Sequence, residues 1–445
     1  MRLFKLVMQG LVIAGLLASF VFMPVLPVAA HEERPAPKRV IGYFTEWGIY
    51  ARNYLVKNIV SSGSADKLSV INYAFGNVTP DATGQVVCKL ADEWADYQVP
   101  WTANQSVDGN AVSWPNPILG NFQQLKALKA LHPNIKVVIS LGGWSLSKYF
   151  SDAALTPASR SAFVQSCVDL FIKGNLPDPG WGGMGGTGAA AGVFDGIDID
   201  WEYPGAAGAD GNIYRPEDTH NFTALLAEFR SQLNAVRPGL LLTIASPAAK
   251  NKYSKIELAK VSRYVDWFNL MTYDFHVASE ASTNLQANLY PLRKDPSDPQ
   301  YSVDGAVQGY LRAHVPAEKI VVGLPFYGHG WTGVTNSNHG LFQMATGPAT
   351  GTWEAGSEDF KVLETLVGTN GFVRYSDKKT GAAWLFDGTT FWTFDDPQSI
   401  AAKTDYIKDN DLGGAMFWEL SGDDAAGTLV GAISSGLACQ GHACH

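Results

Sequence analysis

Three acidic residues alternate along one short apolar segment. The segment reads Asp195-Gly-Ile-Asp198-Ile-Asp200-Trp-Glu202-Tyr-Pro204. Because successive side chains of a β-strand point to opposite faces, Asp198, Asp200 and Glu202 share one face. Carboxylates crowded in a desolvated place cannot all ionise at low cost, so the pKa of at least one of them rises. A carboxyl that keeps its proton near neutral pH is what general acid catalysis requires.

The order of the three acids along the strand predicts a division of roles. Glu202 is the outermost and the longest, so we expect it to meet a substrate. Asp200 lies below it and would hold or exchange the proton. Asp198 would share a proton deeper in the molecule.

This segment has two other interpretations. A purely structural acidic ladder is disfavoured, because unpaired buried acids destabilise a fold. Carboxylates at these spacings could also chelate a divalent cation. Such a site needs further oxygen ligands at neighbouring strand ends, where Tyr, Trp and Met predominate instead. We therefore predict neither a metal nor another cofactor.

The elements that carry these acids follow an alternating pattern of β-rich runs and amphipathic helical stretches. Such alternation is typical of parallel strands with crossover helices. Eight strands are predicted, which favours a (β/α)8 TIM barrel over residues 39–438 with its chemistry at the carboxyl ends of the strands. The predicted strands are Arg39–Phe44, Ser69–Phe75, Lys136–Leu141, Gly196–Glu202, Leu240–Ala245, Trp267–Thr272, Ile320–Pro325 and Gly414–Trp418.

The gap between the seventh and eighth predicted strands is long and β-rich. Asp387-Gly388 lies between aromatic residues on both sides, a pattern typical of a hairpin. We therefore expect a small α+β insertion at residues 329–394 within the barrel.

The amino-terminal residues resemble a signal peptide. Arg2 and Lys5 precede an apolar stretch, and small residues favour cleavage after Ala30. We expect a signal peptide at 1–30, a leader at 31–38 and a secreted protein. An uncleaved membrane anchor is the alternative.

Four cysteines are compatible with secretion. Cys439 and Cys444 are close enough to pair within a tail at 439–445. For Cys88 and Cys167 a bridge and a buried free thiol remain open, because four cysteines allow three connectivities.

The overall composition excludes several classes of protein. The chain has 445 residues, of which 46% are hydrophobic and 17% are charged, so it is not a disordered chain. Its formal net charge is −9, which argues against nucleic-acid binding because phosphate contacts require clustered Lys and Arg.

The acidic segment resembles the D-G-x-D-x-D-x-E signature of glycoside hydrolase family 18, the chitinases and their relatives. Ser140-Leu-Gly-Gly-Trp144 resembles the S-x-G-G motif of that family, and Met271-Thr-Tyr273-Asp274 resembles its M-T-Y-D motif. The insertion resembles the one in the bacterial-type subgroup. Three aromatic residues match the family by their place in predicted strands, namely Tyr43, Phe75 and Trp418.

The resemblance implies retaining hydrolysis assisted by the substrate, an exception to the usual scheme of two carboxylates. Glu202 would protonate the glycosidic oxygen and then activate water. The N-acetyl carbonyl of the substrate would attack its own anomeric carbon, giving an oxazolinium ion. Asp200 would orient the acetamido N–H and stabilise the positive charge.

The same resemblance implies supporting roles for other residues. Tyr273 would donate a hydrogen bond to the acetamido carbonyl, and Asp274 would bond the same sugar. Trp418 would form the floor of the cleft and Trp144 a stacking surface on the leaving-group side. The remaining residues would support Asp200, shape the pocket or form its wall or core; these are Asp198, Ser140, Met271, Tyr43 and Phe75.

One position departs from the family pattern. His329 stands where relatives often carry Arg, and a histidine lacks the guanidinium fork. This puts in doubt one polar contact near the cleft and the pH profile, but not the catalytic assignment.

The leading hypothesis is a secreted, monomeric chitinase that acts on chitin and N-acetylglucosamine oligomers, with no nucleic-acid partner and no membrane attachment after cleavage. One alternative is a chitin-binding lectin of the same fold, which would typically have replaced the acid at Glu202. Another is an endo-N-acetylglucosaminidase of the same family, acting on N-glycans.

Overall fold

A computed structural model describes residues 37–180, 182–292, 295–297 and 301–438. The signal peptide, most of the leader and the tail with Cys439 and Cys444 lie outside the described residues. The described strands, in chain order, are β1 (Arg39–Thr45), β2 (Val70–Pro80), β3 (Val86–Leu90), β4 (Lys136–Gly142), β5 (Gly196–Asp200), β6 (Leu241–Pro247), β7 (Trp267–Met271), β8 (Ile320–Pro325), β9 (Tyr327–Thr332), β10 (Gly347–Pro348), β11 (Ser357–Asp359), β12 (Val373–Asp377), β13 (Ala382–Phe386), β14 (Phe391–Phe394) and β15 (Gly414–Trp418).

Eight parallel strands close into a barrel. Their order is β1-β15-β8-β7-β6-β5-β4-β2, and β2 pairs with β1 to complete the ring. The short strand β3 extends β2 on the outside as an antiparallel hairpin. This arrangement confirms the predicted (β/α)8 fold.

Helices occupy the connections between the strands. The described α-helices are α1 (Val56–Ser61), α2 (Gly120–Leu131), α3 (Gly143–Leu146), α4 (Phe150–Ala154), α5 (Pro157–Cys167), α6 (Asp218–Val236), α7 (Lys250–Tyr253), α8 (Leu258–Val261), α9 (Val303–Arg312), α10 (Phe360–Leu366), α11 (Pro397–Asp409) and α12 (Thr428–Ala438). Of the helices so described, none is long and apolar enough to cross a membrane.

The apolar set of the acidic segment packs outward against the helices, as its alternation predicts. Ile197 and Ile199 are fully buried in the core between strands and helices. The Trp201 ring stacks on Phe150 at 5.5 Å and meets Phe222 edge-on. The acidic set is thereby directed into the barrel.

The acidic strand is shorter than predicted. β5 ends at Asp200, whereas the alternation of acids predicted a strand through Glu202. The hydroxyl of Ser147 explains the difference, because it donates to the Asp200 carbonyl and accepts from the Glu202 N–H. A side chain thus bonds backbone groups that a longer strand would present to its neighbours.

A second sheet lies between β8 and β15 in the chain. Its order is β10-β9-β14-β13-β12, with β11 also paired to β9. The predicted hairpin at Asp387-Gly388 joins β13 to β14. The sheet begins at Tyr327, two residues before the predicted insertion, because β9 follows almost directly on β8.

Cys88 and Cys167 form a disulfide that ties β3 to the end of α5. The two cysteines are separated by 79 positions in the sequence. The buried free thiol, the other interpretation of Cys167, is therefore not what the structure contains.

Arg52 connects three distant segments of the chain. One guanidinium nitrogen lies 2.7 Å from the Asp359 carboxylate of the second sheet and 3.2 Å from the Ser421 hydroxyl beyond β15. The guanidinium also lies over the Trp353 ring at 4.8 Å, and the Trp353 N–H donates to Asp359. We call these contacts the Arg52 clamp.

Candidate active site

Asp198 lies inside the barrel and accepts four hydrogen bonds. Tyr43 and Ser140 donate to one carboxylate oxygen, each at 2.8 Å. Thr243 and Asn269 donate to the other oxygen at 2.6 and 3.2 Å. The donors come from four strands around the barrel, β1, β4, β6 and β7.

These donors determine the state of Asp198. Burial raises the pKa of the carboxyl, and the four hydrogen bonds oppose that rise. Two donors on each oxygen suit an ionised carboxylate, which only accepts. They also occupy its lone pairs, so chelation of a cation by all three acids is disfavoured.

Asp200 has a contrasting environment. Its side chain is buried at 5% exposure, and its Oδ1 atom has no hydrogen-bond partner among the described residues. Burial raises the pKa of Asp200 well above its usual value, and the charges of Glu202 and Asp198 add to that rise. This carboxyl is therefore poised to hold a proton and to bond a group from outside the protein.

Glu202 lies two residues beyond the end of β5 (Asp200) and remains largely buried, at 8% exposure. Burial raises its pKa to about 7, and the negative charge of Asp274 contributes to the rise. The Tyr203 hydroxyl and the Lys252 charge act in the opposite direction. A carboxyl with a pKa near 7 can give up a proton and take it back near neutral pH.

Several groups hold the chain around Glu202. Ser147 bonds its N–H, and the Asn212 side chain donates to its carbonyl at 3.1 Å. The Lys252 ammonium lies over the Tyr203 ring at 4.7 Å and donates to the Ala207 carbonyl. Both sides of the acid are thus supported by the loops that follow β4 and β6.

An aromatic cluster adjoins the carboxyls. Trp418, at the end of β15, packs on Tyr43 at 5.3 Å and stacks on Phe75 at 5.6 Å. Trp47 belongs to the same cluster, with its ring centre 6.1 Å from that of Phe75. Phe75 is buried, while Tyr43, predicted as a wall or core residue, is buried with its hydroxyl on Asp198.

Tyr273 and Asp274 follow β7, as their motif predicts. Among the described residues, the hydrogen-bond partner of the Tyr273 hydroxyl is the sulfur of Met416 alone, at 3.9 Å, and thioether sulfur is a weak acceptor. Burial raises the pKa of Tyr273 well above its usual value, so the hydroxyl keeps its proton. Met271 ends the strand beside them and is partly buried.

Asp274 is tied to the second sheet. The Tyr327 hydroxyl donates to its Oδ1 atom at 2.5 Å, and His329 Nε2 lies 2.8 Å from the same oxygen. His329 therefore contacts the site, at the position singled out as a departure from the family pattern.

Trp144 stands apart from these residues. It lies in the short helix α3 directly after β4 and is 55% exposed. An indole this exposed presents an apolar face to solvent, and such a face can stack on a sugar ring.

Several residues of the site were not predicted from the sequence. Thr243 and Asn269 could have been found, because each is a polar residue within an otherwise apolar predicted strand. In the register of the sheet, Thr243 pairs directly with Asp198. Tyr327, Ser147 and Lys252 carried no comparable signal, because only the fold brings their segments to Asp274 and Glu202.

Taken together, the site has a carboxylate with four donors, a carboxyl of raised pKa with one oxygen unpartnered among the described residues, and an acid with a pKa of about 7. They lie beside an aromatic floor and a free phenol. This set suits general acid–base chemistry on an uncharged polar ligand with an apolar face.

Comparison with known proteins bears on that chemistry. Residues 39–423 match the family described as glycosyl hydrolases family 18. Chitinase C of Streptomyces lividans is 43% identical over 392 residues, which cover 87% of this chain and 58% of that protein. The chain spans about three fifths of the length of the first curated relatives it matches.

Solved structures share the fold. The catalytic domain of psychrophilic chitinase B from Arthrobacter TAD20 is 42% identical, with a TM-score of 0.85 over 90% of this chain and 95% of that one. A family 18 N-acetylglucosaminidase from Paenibacillus barengoltzii is 33% identical, with a TM-score of 0.69 over 90% of this chain and 99% of that one.

Proposed function

Because the chain belongs to glycosyl hydrolase family 18, we propose that it is a chitinase. It hydrolyses β-1,4 linkages between N-acetylglucosamine units in chitin and chitooligosaccharides, with retention at the anomeric carbon. The names of the relatives and of the Arthrobacter structure support this substrate class.

The observation that carries the proposal is the contrast between Asp200 and Glu202. Asp200 offers a buried oxygen with no partner among the described residues, next to an acid whose pKa is about 7. An acetamido N–H would supply the missing hydrogen bond. A retaining enzyme with a protein nucleophile would instead need an ionised carboxylate in place of Asp200.

In the proposed reaction, Glu202 gives its proton to the glycosidic oxygen as the bond from that oxygen to the anomeric carbon breaks. The acetamido carbonyl oxygen of the same sugar bonds to the anomeric carbon and forms an oxazolinium ion. Asp200 accepts a hydrogen bond from the acetamido N–H through its unpartnered oxygen and so orients the acetamido group for this attack. Glu202 then takes a proton from water, whose oxygen attacks the anomeric carbon and reopens the ring.

Other residues of the site would orient the sugar. Tyr273 would donate to the acetamido carbonyl, since its hydroxyl has only a weak acceptor in the structure. Asp274 would bond the same sugar, Trp418 would lie beneath it and Trp144 would stack on the leaving group. Asp198 and its donors, Ser140 among them, would hold Asp200 from below, while Met271, Tyr43 and Phe75 would shape the pocket.

The decisive experiment compares the wild type with E202Q on N-acetylchitohexaose. We expect the wild type to release chitobiose and E202Q to lose a factor of about 10² to 10⁴, the scale of a lost general acid. E217Q makes the same chemical change at an exposed residue and should keep full activity. Equal activity of E202Q and wild type would show that the acid lies elsewhere.

The products separate the candidate functions. The similarity to the Paenibacillus N-acetylglucosaminidase favours a second candidate, an exo-acting enzyme that releases N-acetylglucosamine alone. Release of glycans from N-glycoproteins would indicate an endo-N-acetylglucosaminidase. Binding of the oligomer without cleavage would indicate a lectin.

The proposal includes secretion after removal of residues 1–30 and action as a monomer. The disulfide between Cys88 and Cys167 supports secretion, because such bonds persist in oxidising compartments. Amino-terminal sequencing of secreted protein should begin at His31. Sedimentation of that protein should give the mass of one chain.

A further inference from the structure

His329 lies between two oxygen atoms that both accept hydrogen bonds. Its Nε2 atom is 2.8 Å from the Asp274 carboxylate, and its Nδ1 atom is 3.2 Å from the Gly356 carbonyl. A carbonyl can only accept, so the Nδ1 contact is a hydrogen bond when Nδ1 carries hydrogen. A neutral ring would then turn a lone pair toward the carboxylate, whereas a doubly protonated ring satisfies both oxygens.

The charges around His329 also favour the doubly protonated ring. Asp274 comes from the loop after β7, and Glu354 comes from the segment before β11. Burial lowers the pKa of His329, but Asp274 and Glu354 outweigh it and the net change is a rise. Among the described residues, His329 is the only basic side chain within 4.0 Å of the Asp274 carboxylate.

The remaining neighbours bring no competing charge to the ring. His329 pairs with Ser357 of β11 and with Thr393 of β14, both neutral. The carboxylates that follow in β11 are engaged elsewhere, Glu358 with Thr352 and Asp359 with Arg52. Tyr327 is a neutral donor to Asp274, and burial raises its pKa well above the usual value.

We propose that His329 is a positioning residue whose imidazolium ties Asp274 to the second sheet and so fixes Asp274 for sugar binding. The inference rests on the proposed function, in which Asp274 bonds the sugar. Since the protonated ring makes the tie, the tie is complete at acidic pH and opens as pH rises through the pKa of His329. Sugar binding therefore weakens with rising pH independently of Glu202.

Binding to inactive variants isolates this effect, because E202Q removes the titration of Glu202. The affinity of E202Q for N-acetylchitopentaose should fall roughly tenfold from pH 6 to pH 9, on the scale of one charge-assisted hydrogen bond. E202Q/H329R keeps a permanent cation and should bind at nearly constant affinity. E202Q/H329Q has no cation at any pH and should bind weakly throughout.

A fall with pH in E202Q/H329R as steep as in E202Q would overturn the inference. No binding by any of the variants, together with no turnover by the wild type, would contradict the proposed function instead. In that case a measurement on the free protein still decides about His329.

That measurement is the NMR titration of the His329 ring, assigned by the signal missing from H329Q. We expect its midpoint above the ordinary histidine value of about 6.5, and a lower midpoint in D274N. Identical midpoints in the wild type and D274N would show that Asp274 does not hold the proton on His329.

Discussion

The same functional group, a carboxyl, occurs in three different environments at Asp198, Asp200 and Glu202. Four donors from neighbouring strands favour the ionised form of Asp198. Asp200 has an oxygen with no donor among the residues that the structure describes, and burial and two negative neighbours favour its protonated form. Glu202 lies between these limits, with a pKa of about 7. The role of each carboxyl therefore depends on its partners more than on its residue type.

Lys252 contributes to the pH dependence of activity through its effect on Glu202. Its positive charge lowers the pKa of Glu202, so K252M should raise that pKa. Because the protonated acid is the active form, activity is lost as pH rises through this pKa. The alkaline limb of kcat/KM should therefore move upward in K252M, by about half a pH unit.

K252R is the matched control, since it keeps the charge and most of the length of the side chain. Its alkaline limb should coincide with that of the wild type. A K252M limb that also coincides with the wild type would show that the ammonium does not act on Glu202.

Mutation of Thr243 tests how much the hydrogen bonds to Asp198 stabilise the fold. T243V keeps the shape of the side chain but removes the 2.6 Å hydrogen bond to a buried carboxylate. We expect the free energy of unfolding to fall by about 1–3 kcal/mol in urea titrations.

Thr45 offers a comparison within the same barrel. It is buried in β1, and its hydroxyl has no hydrogen-bond partner among the described residues. T45V should therefore be neutral or stabilising. If T243V lost no more stability than T45V, the donors of Asp198 would not contribute to folding.

At the scale of elements, the sequence predicted the barrel because hydrophobic runs mark buried parallel strands directly. The eight predicted strands coincide with the observed ones to within a few residues, apart from β2, which continues to Pro80. The hairpin at Asp387-Gly388 was found by its turn residues. The hydrogen bonds of Asp198 and Asp274 to their partners were not predicted, because the partners are 45 to 155 positions away and only strand register brings them together.

A second pair of buried carboxyls is formed by Glu46, in the turn after β1, and Asp96, in the segment Trp94–Gln98. The charge of Asp96 acts on Glu46, and the Tyr73 hydroxyl donates to Asp96 at 2.6 Å. Two neighbouring buried carboxyls cannot both ionise at low cost, so the pair retains a proton. Burial raises the pKa of both. Trp47 of the aromatic cluster follows Glu46, so this proton supports one wall of the site.

The retained proton makes stability depend on pH. Raised pKa values stabilise the fold below the ordinary carboxyl pKa, and this contribution is lost as pH rises through the raised values. E46Q supplies a permanent amide donor to Asp96. Its free energy of unfolding should decrease less than that of the wild type between pH 6 and pH 9, measured by urea titration.

E217Q makes the same substitution on the surface and should follow the wild type at every pH. Equal slopes for E46Q and the wild type would mean that no proton is lost from this pair in that range.

At the scale of the whole molecule, the disulfide is a long-range constraint. It joins residues 79 positions apart and restricts the unfolded chain more than the native one. Reduction should lower the free energy of unfolding by about 2–4 kcal/mol. Urea titrations of oxidised and reduced wild type measure this without any change of side-chain packing.

The variant C88A/C167A should lose at least as much stability as the reduced protein, because both positions are buried. Equal free energies of unfolding for the oxidised and reduced proteins would show that the disulfide does not stabilise the fold.

The Arg52 clamp bears on how this architecture can be recombined. Asp359 and Trp353 belong to the second sheet and its loops. Asp359 pairs with Lys361 of the same segment at 3.3 Å, but Arg52, which contacts both residues, comes from the turn after β1 and also lies 3.7 Å from Glu419. Transplanting residues 327–394 alone into a related barrel would leave Asp359 without Arg52 and Trp353 without a support. The exchangeable module is therefore discontinuous, and chimaeras should exchange three segments together: the turn with Arg52, residues 327–394 and the segment with Glu419 and Ser421.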